Sequence, residues 1–160
     1  MAELRQQGID WIEQAPIALE GRGISSASPE AVFAVLADHE RWPEWFPNVR
    51  HVEVTGAAEG VGARRRVRVP GLTVDEVFIV WEPGVRWSFT GTAAKPGFLS
   101  SLVEDCRLEA TEGGTAISYT MYIEPARLFR PVIKVASRGV RASIQKAVDH
   151  LAKRAVTHGA

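Results

Sequence analysis

Four side chains in this 160-residue chain join charge or proton chemistry to strand-like surroundings: Arg65, Glu76, Glu104 and Tyr119. Each lies in a run of period two and shares its parity with apolar neighbours. Arg65 goes with Val67 and Val69, Glu76 with Val74 and Phe78, Glu104 with Leu102 and Cys106, Tyr119 with Ile117 and Met121. Alternate residues of a strand point to one face, so all four are expected to face inward. A carboxyl group buried without a cation is raised in pKa and can give or take a proton near neutrality. Glu104 or Glu76 would then carry a proton, with Arg65 and Tyr119 polarising an oxygen. The plainer reading of Arg65 and Glu76 is a cross-strand pair at a partly wet rim, contributing about 0.2–1 kcal/mol. Real burial would favour polar handles inside an apolar pocket, because a buried ion pair rarely stabilises more than apolar residues of equal volume.

Other chemistries find little support. Cys106 reads as an inert buried thiol with no histidine nearby to activate it. His39, His51, His150 and His158 are scattered without metal-ligand spacing, so neither a metal site nor a cofactor is expected. Gly-x-Gly-x-x-Gly, the P-loop and Gly-x-Ser-x-Gly are all missing from the sequence. Lys+Arg and Asp+Glu both number 19, which gives no indication of nucleic-acid binding. A single cysteine rules out an internal disulfide framework and fits a reducing compartment. Residues 1–15 carry Glu3, Arg5, Asp10 and Glu13, unlike a signal peptide, and no apolar run reaches the roughly 20 residues of a membrane span. The expectation is a cytoplasmic protein with an N-terminal extension over 1–16 and one domain over 17–157.

The elements that must position these groups follow from periodicity. Residues 1–15 fit a short surface helix or a loose lead-in. Ile17–Ser25 fits a first strand, bulged where Gly21 and Gly23 break it. Ser28-Pro29-Glu30 is a helix start: Ser28 caps, Pro29 suits the first turn and Glu30 favours its positive end. Trp42-Pro43-Glu44-Trp45-Phe46-Pro47 predicts a second short helix from Pro43, its aromatics capping one end of the core. Strands are predicted over 49–55, 63–69, 72–81, 86–92, 100–110 and 116–123, separated by Gly/Pro punctuation, as in an antiparallel meander. The Pro70-Gly71 turn sets Arg65 opposite Glu76. A turn over Glu82–Val85 sets Trp81 opposite Arg86, allowing a cation–π pair, and a Gly113-Gly114 turn sets Cys106 opposite Met121. From Phe129, the residues Ile133, Ala136, Val140, Ile144, Ala147, Leu151 and Ala155 fall on one face of a long helix. Its apolar stripe must lie on the sheet. Gly139 either allows close approach there or loosens the helix, at about 1 kcal/mol against Ala. Arg127, Arg130, Lys134, Arg138, Arg141, Lys146, Lys153 and Arg154 make its outer face basic. That face is either simply solvated or in weak contact with an anionic surface.

This order, with Ser28-Pro29-Glu30-Ala31-Val32-Phe33, Leu36-Ala37-Asp38 and the Trp42–Pro47 stretch, resembles the START-like helix-grip superfamily (SRPBCC) in its polyketide cyclase/dehydrase-like branch. The resemblance covers about residues 17 to 155. It implies an α+β helix-grip fold: a curved seven-stranded antiparallel sheet around the C-terminal helix, with two short helices between strands 1 and 2, enclosing a cavity. It also implies binding or transport of a hydrophobic small molecule such as a lipid or polyketide, or cyclase, aromatase or dehydratase chemistry using polar cavity groups. The residues expected to touch that ligand are Trp45, Phe46, Val67, Phe78, Trp87, Phe89, Phe98, Leu102, Cys106, Leu108, Tyr119, Met121, Phe129, Ile133, Ala136 and Val140. The mouth is expected near the loop 93–100 and the Trp42–Phe46 segment, with Phe98 as a mobile entrance group.

Overall fold

Turn chemistry orders the strands. In the computed structural model, which describes residues 1–158, the strands are β1 (Ala2–Glu3), β2 (Ile17–Ser25), β3 (His51–Val54), β4 (Arg64–Val69), β5 (Leu72–Glu82), β6 (Arg86–Lys95), β7 (Leu99–Thr111) and β8 (Gly114–Pro125). They form one antiparallel sheet in the order β2-β8-β7-β6-β5-β4-β3. Helix α1 (Pro29–Ala37) and a 3-10 turn (His39–Glu44) lie between β2 and β3, and α2 (Arg130–His158) closes the chain. Ser28 Oγ accepts from the Ala31 N–H at 3.2 Å, capping α1. The second short helix begins at His39, earlier than Pro43 suggests, and carries Pro43 inside it.

The hairpins differ in register. Pro70-Gly71 pairs Val69 with Leu72, Val67 with Val74 and Arg65 with Glu76, as a two-residue turn requires. Glu82 pairs with Arg86 instead of Trp81, and a bulge between Phe78 and Val80 restores Phe78 to Phe89. The bulge turns Trp81 inward, where it meets Phe33 at 5.5 Å and Phe78 at 5.1 Å. Arg86 instead pairs with Asp105 at 2.8 Å, so no Arg86–Trp81 pair forms. In the last hairpin Thr111 pairs with Gly114, two residues earlier than expected, setting Cys106 opposite Tyr119 and Glu104 opposite Met121. A shift of two preserves every facing.

Residues 1–15 contribute an eighth strand. β6 and β7 pair only over Arg86–Thr90 and Val103–Arg107; beyond that β1 lies beside Ala93 and Ala94. The Leu4 N–H donates to the Thr92 carbonyl and the Arg5 N–H to the Ser100 carbonyl, both at 2.9 Å. The glycines of β2 are not a bulge: all nine residues pair with β8 in unbroken register. They let α2 approach. A Cβ on Gly21 would lie 3.1 Å from Gln145 Cα, and one on Gly23 only 2.8 Å from Val148 Cγ1. Opposite them α2 buries Ile144, Ala147, Val148, Leu151 and Ala155. A Cβ on Gly139 would meet nothing within 4 Å, so close approach belongs to the strand and not to the helix.

Candidate functional site

The sheet's concave face and the first half of α2 enclose a cavity of about 510 Å³. Inward parity supplies its wall: Val67 and Val69 from β4, Leu72, Val74 and Glu76 from β5, Phe89 from β6, Leu102 and Glu104 from β7, Met121 and Ile123 from β8. Helix α2 adds Ile133, Ala136, Ser137, Gly139, Val140, Ser143 and Ile144. The exposed members of the wall are Asn48, Pro70, Ala136 and Gly139, which define the mouth. It lies between the β4–β5 turn and α2, away from the loop 93–100. Phe98 and Phe129 pack on each other at 4.9 Å, tying that loop to the turn before α2, so neither lines the cavity.

The far end is closed and polar. Arg65 is 1% exposed, and its Nε donates to Glu76 Oε2 at 2.7 Å. The guanidinium carbon lies 4.0 Å from the Trp42 ring centroid, 4.8 Å from Phe89, 5.1 Å from Trp87 and 5.3 Å from Phe78. Four rings thus surround one cation, each offering the negative face of its quadrupole. Arg65 Nη1 donates to His39 Nδ1 at 3.2 Å, and the His39 Nε2–H donates to the Ala58 carbonyl at 2.9 Å. Both bonds suit a neutral ring. Burial and the adjacent Arg65 charge lower the His39 pKa to about 4. Arg65 Nη2 is buried without a partner.

Two carboxyl groups share this end. Burial raises the pKa of Glu76, opposed by Arg65 at bonding distance. Burial, reinforced by the Glu76 charge, pushes Glu104 up to about 8. Tyr119 donates its phenol proton to Glu104 Oε2, and burial followed by the Glu104 charge raises Tyr119 well above its ordinary value. The closed end therefore holds the Arg65 cation with Glu76 at bonding distance, and beside them Glu104, held as a neutral carboxylic acid near neutral pH. All three charged or acidic residues, Arg65, Glu76 and Glu104, line the cavity at this end.

Apart from Phe98 and Phe129, the side chains expected to touch a ligand separate into two groups. Phe46, Val67, Phe89, Leu102, Met121, Ile133, Ala136 and Val140 line the cavity, together with Arg65, Glu76 and Glu104. Trp45, Phe78, Trp87, Cys106, Leu108 and Tyr119 are buried behind the wall. They pack the closed end solid, with Trp87 stacked on Trp42 at 5.3 Å and set edge-on to Phe78 at 5.0 Å. Cys106 is fully buried and its thiol is raised in pKa by that burial. Parity does not separate these groups, because both face inward; depth along the strand does. Sequence reasoning missed Leu19, Val49 and Leu99 on the wall, and it missed His39, whose place beside Arg65 has no local signal. Among the described residues no cluster of His, Cys, Asp or Glu could hold a metal, and no helix is long and apolar enough to cross a membrane.

A curved antiparallel sheet gripping a C-terminal helix around a cavity defines a helix-grip, START-like protein. Residues 19–156 match the family described as polyketide cyclase / dehydrase and lipid transport, and the chain belongs to that family. An uncharacterised protein of Mycobacterium tuberculosis is 32% identical over 151 residues, covering 89% of this chain and 90% of its own. Among solved structures, the Zhui aromatase/cyclase of a Streptomyces species superposes with a TM-score of 0.76 at 15% identity, covering 90% of this chain and 96% of that one. A START superfamily protein of Mycobacterium smegmatis superposes with a TM-score of 0.70 at 11% identity, covering 86% and 97%. At these identities the likeness is one of fold.

Proposed function

We propose that this protein binds or carries a hydrophobic small molecule, a lipid, polyketide or similar compound, with its apolar body in the cavity and one oxygen at the closed end. The observation that carries this reading is the contrast within a single wall. Aliphatic side chains surround most of the space, and the only charged groups on it, Arg65, Glu76 and Glu104, converge at one end. Apolar walls supply affinity and a few convergent polar groups supply orientation. Neutral Glu104, on the cavity wall, would donate to an acceptor oxygen there. A carboxylate ligand would find Arg65 already neutralised by Glu76, so a carbonyl or hydroxyl oxygen fits better.

The test uses the fluorescent probe 1-anilinonaphthalene-8-sulfonate together with native mass spectrometry of freshly purified protein. Ala136→Trp fills the cavity from an exposed helix position, so it should weaken probe binding at least about tenfold while leaving the melting temperature unchanged. Equal affinity in the variant would end this reading.

A second reading, a cyclase or dehydratase, is favoured by one observation, the neutral acid at the closed end. Glu104 would give its proton to a substrate oxygen, with Tyr119 as a positioning residue behind it. Glu104→Gln would then lose turnover and keep affinity, whereas a pure carrier has no turnover to lose.

A further inference from the structure

The first half of α2 presents three faces, and the cavity uses only one. Ile133, Ala136 and Val140 line the cavity. Arg130, Lys134, Arg138 and Arg141 recur at steps of four, four and three and form a second row. Val132 and Val135 lead along a third, and Leu128 precedes them in the 3-10 turn Arg127–Phe129 just before the helix. On an ideal helix the three rows lie roughly 100–140° apart. The third row is the anomaly: Leu128 is 87% exposed, Val132 62% and Val135 81%. Large apolar side chains in a row beside a cavity mouth are a recognised sign of a docking surface.

Charge selects the occupant. Arg130, Lys134 and Arg138 are exposed, and among the described residues none of them joins the ion pairs of the fold. Arg141 donates only to the Ala18 carbonyl. Among the described residues, helix α2 thus carries an unpaired cationic row on one flank and an apolar row beside the mouth residues Ala136 and Gly139 on the other. A second copy is a poor fit, because a two-fold interface would set the same cations against one another. The second half of α2 differs: Arg154 pairs with Glu44, and Asp149 bonds Gln145.

We infer that this end of the molecule docks on an anionic lipid bilayer, with Leu128, Val132 and Val135 entering the headgroup–acyl boundary and the flanking arginines and lysine meeting the lipid phosphates. Apolar insertion and cationic attraction then act together, as in interfacial amphipathic helices. Docked in this way, the cavity mouth faces the membrane surface. Docking does not depend on what the cavity holds, so it can stand or fall apart from the ligand reading.

The experiment is co-sedimentation with vesicles of phosphatidylcholine alone and of phosphatidylcholine with phosphatidylglycerol in equal parts, at low ionic strength. The full chain should partition onto the mixed vesicles and at least about tenfold less onto the neutral ones. Val132→Asp with Val135→Asp, and separately Lys134→Glu with Arg138→Glu, should each lower partitioning at least about tenfold. None of these four side chains lines the cavity, so probe binding without vesicles should stay unchanged in both variants. No partitioning by the wild type would overturn the inference. So would equal loss to salt with no effect of the Val132/Val135 pair, which marks plain surface attraction. A wild-type dimer that the valine variant dissolves, without vesicle binding, would assign the face to a second copy instead.

Discussion

The two ends of the interior are both built from inward-facing residues of the same strands and arrive at opposite states. At the closed end, Trp42, Phe78, Trp87 and Phe89 pack around Arg65, and the second half of α2 sits close on β2. At the open end the wall is aliphatic, the first half of α2 stands clear, and space remains. The difference lies in what the helix meets. Gly21 and Gly23 admit α2 at one end, whereas no such pair sits beneath Ile133 and Val140. A cavity in this fold is therefore made by where the sheet lets the helix approach, as much as by side-chain size.

The largest test of this contrast is Arg65→Met. It leaves Glu76 buried without its cation and should cost about 3–5 kcal/mol in urea unfolding. Arg65→Met with Glu76→Leu should recover most of the loss, since apolar residues of similar volume replace a buried pair at little cost. A double variant as unstable as the single would mean that the aromatic rings, and not Glu76, set the arginine's value.

The next largest effect is in pH. Folding holds the Glu104 proton up to about 8, against an ordinary 4.5, so its contribution is intact below about pH 4.5 and is lost as the pH rises through 8. His39 runs the other way. Its folded pKa of about 4 lies below the ordinary 6.5, so its contribution is intact above 6.5 and is lost as the pH falls toward 4. The two oppose each other between about pH 4.5 and 6.5; above that His39 no longer contributes, and Glu104, with Glu76 raised in the same direction, sets the slope. The urea midpoint should fall from pH 6.5 to 8, and Glu104→Gln should flatten that slope. A slope that survives the substitution would locate the titration elsewhere.

The smallest effect belongs to the open end. Gly139→Ala adds a Cβ into free space and should raise stability by about 1 kcal/mol. A loss would show that the open half of α2 is more tightly fitted than its surroundings imply.

Much of the fold was legible from local chemistry. Ser28-Pro29-Glu30 marked α1, and Pro70-Gly71 placed Arg65 opposite Glu76 because a two-residue turn leaves one register. The bulge beside Phe78 was not legible, since an extra residue in a strand has no composition of its own; that is why Trp81 pairs with Trp87 and not with Arg86. At the site, parity identified the inward residues but not their depth. Val67 on the wall and Tyr119 behind it look alike in sequence. Of the two places expected for the mouth, the Trp42–Phe46 segment lies next to the mouth residue Asn48, whereas the loop 93–100 is tied down by Phe98 meeting Phe129, a contact between distant segments.

The pairing of β2 with β8 also governs how the molecule comes into being. Ile17 must find Ile123 and Ser25 must find Thr115, partners roughly a hundred residues apart, a separation that slows folding through the entropy of loop closure. During synthesis the first long strand waits for its sheet neighbour β8, and the helix that covers both is made after them. The cavity is thus the final feature to exist, and until then its aliphatic wall is open to any apolar surface nearby.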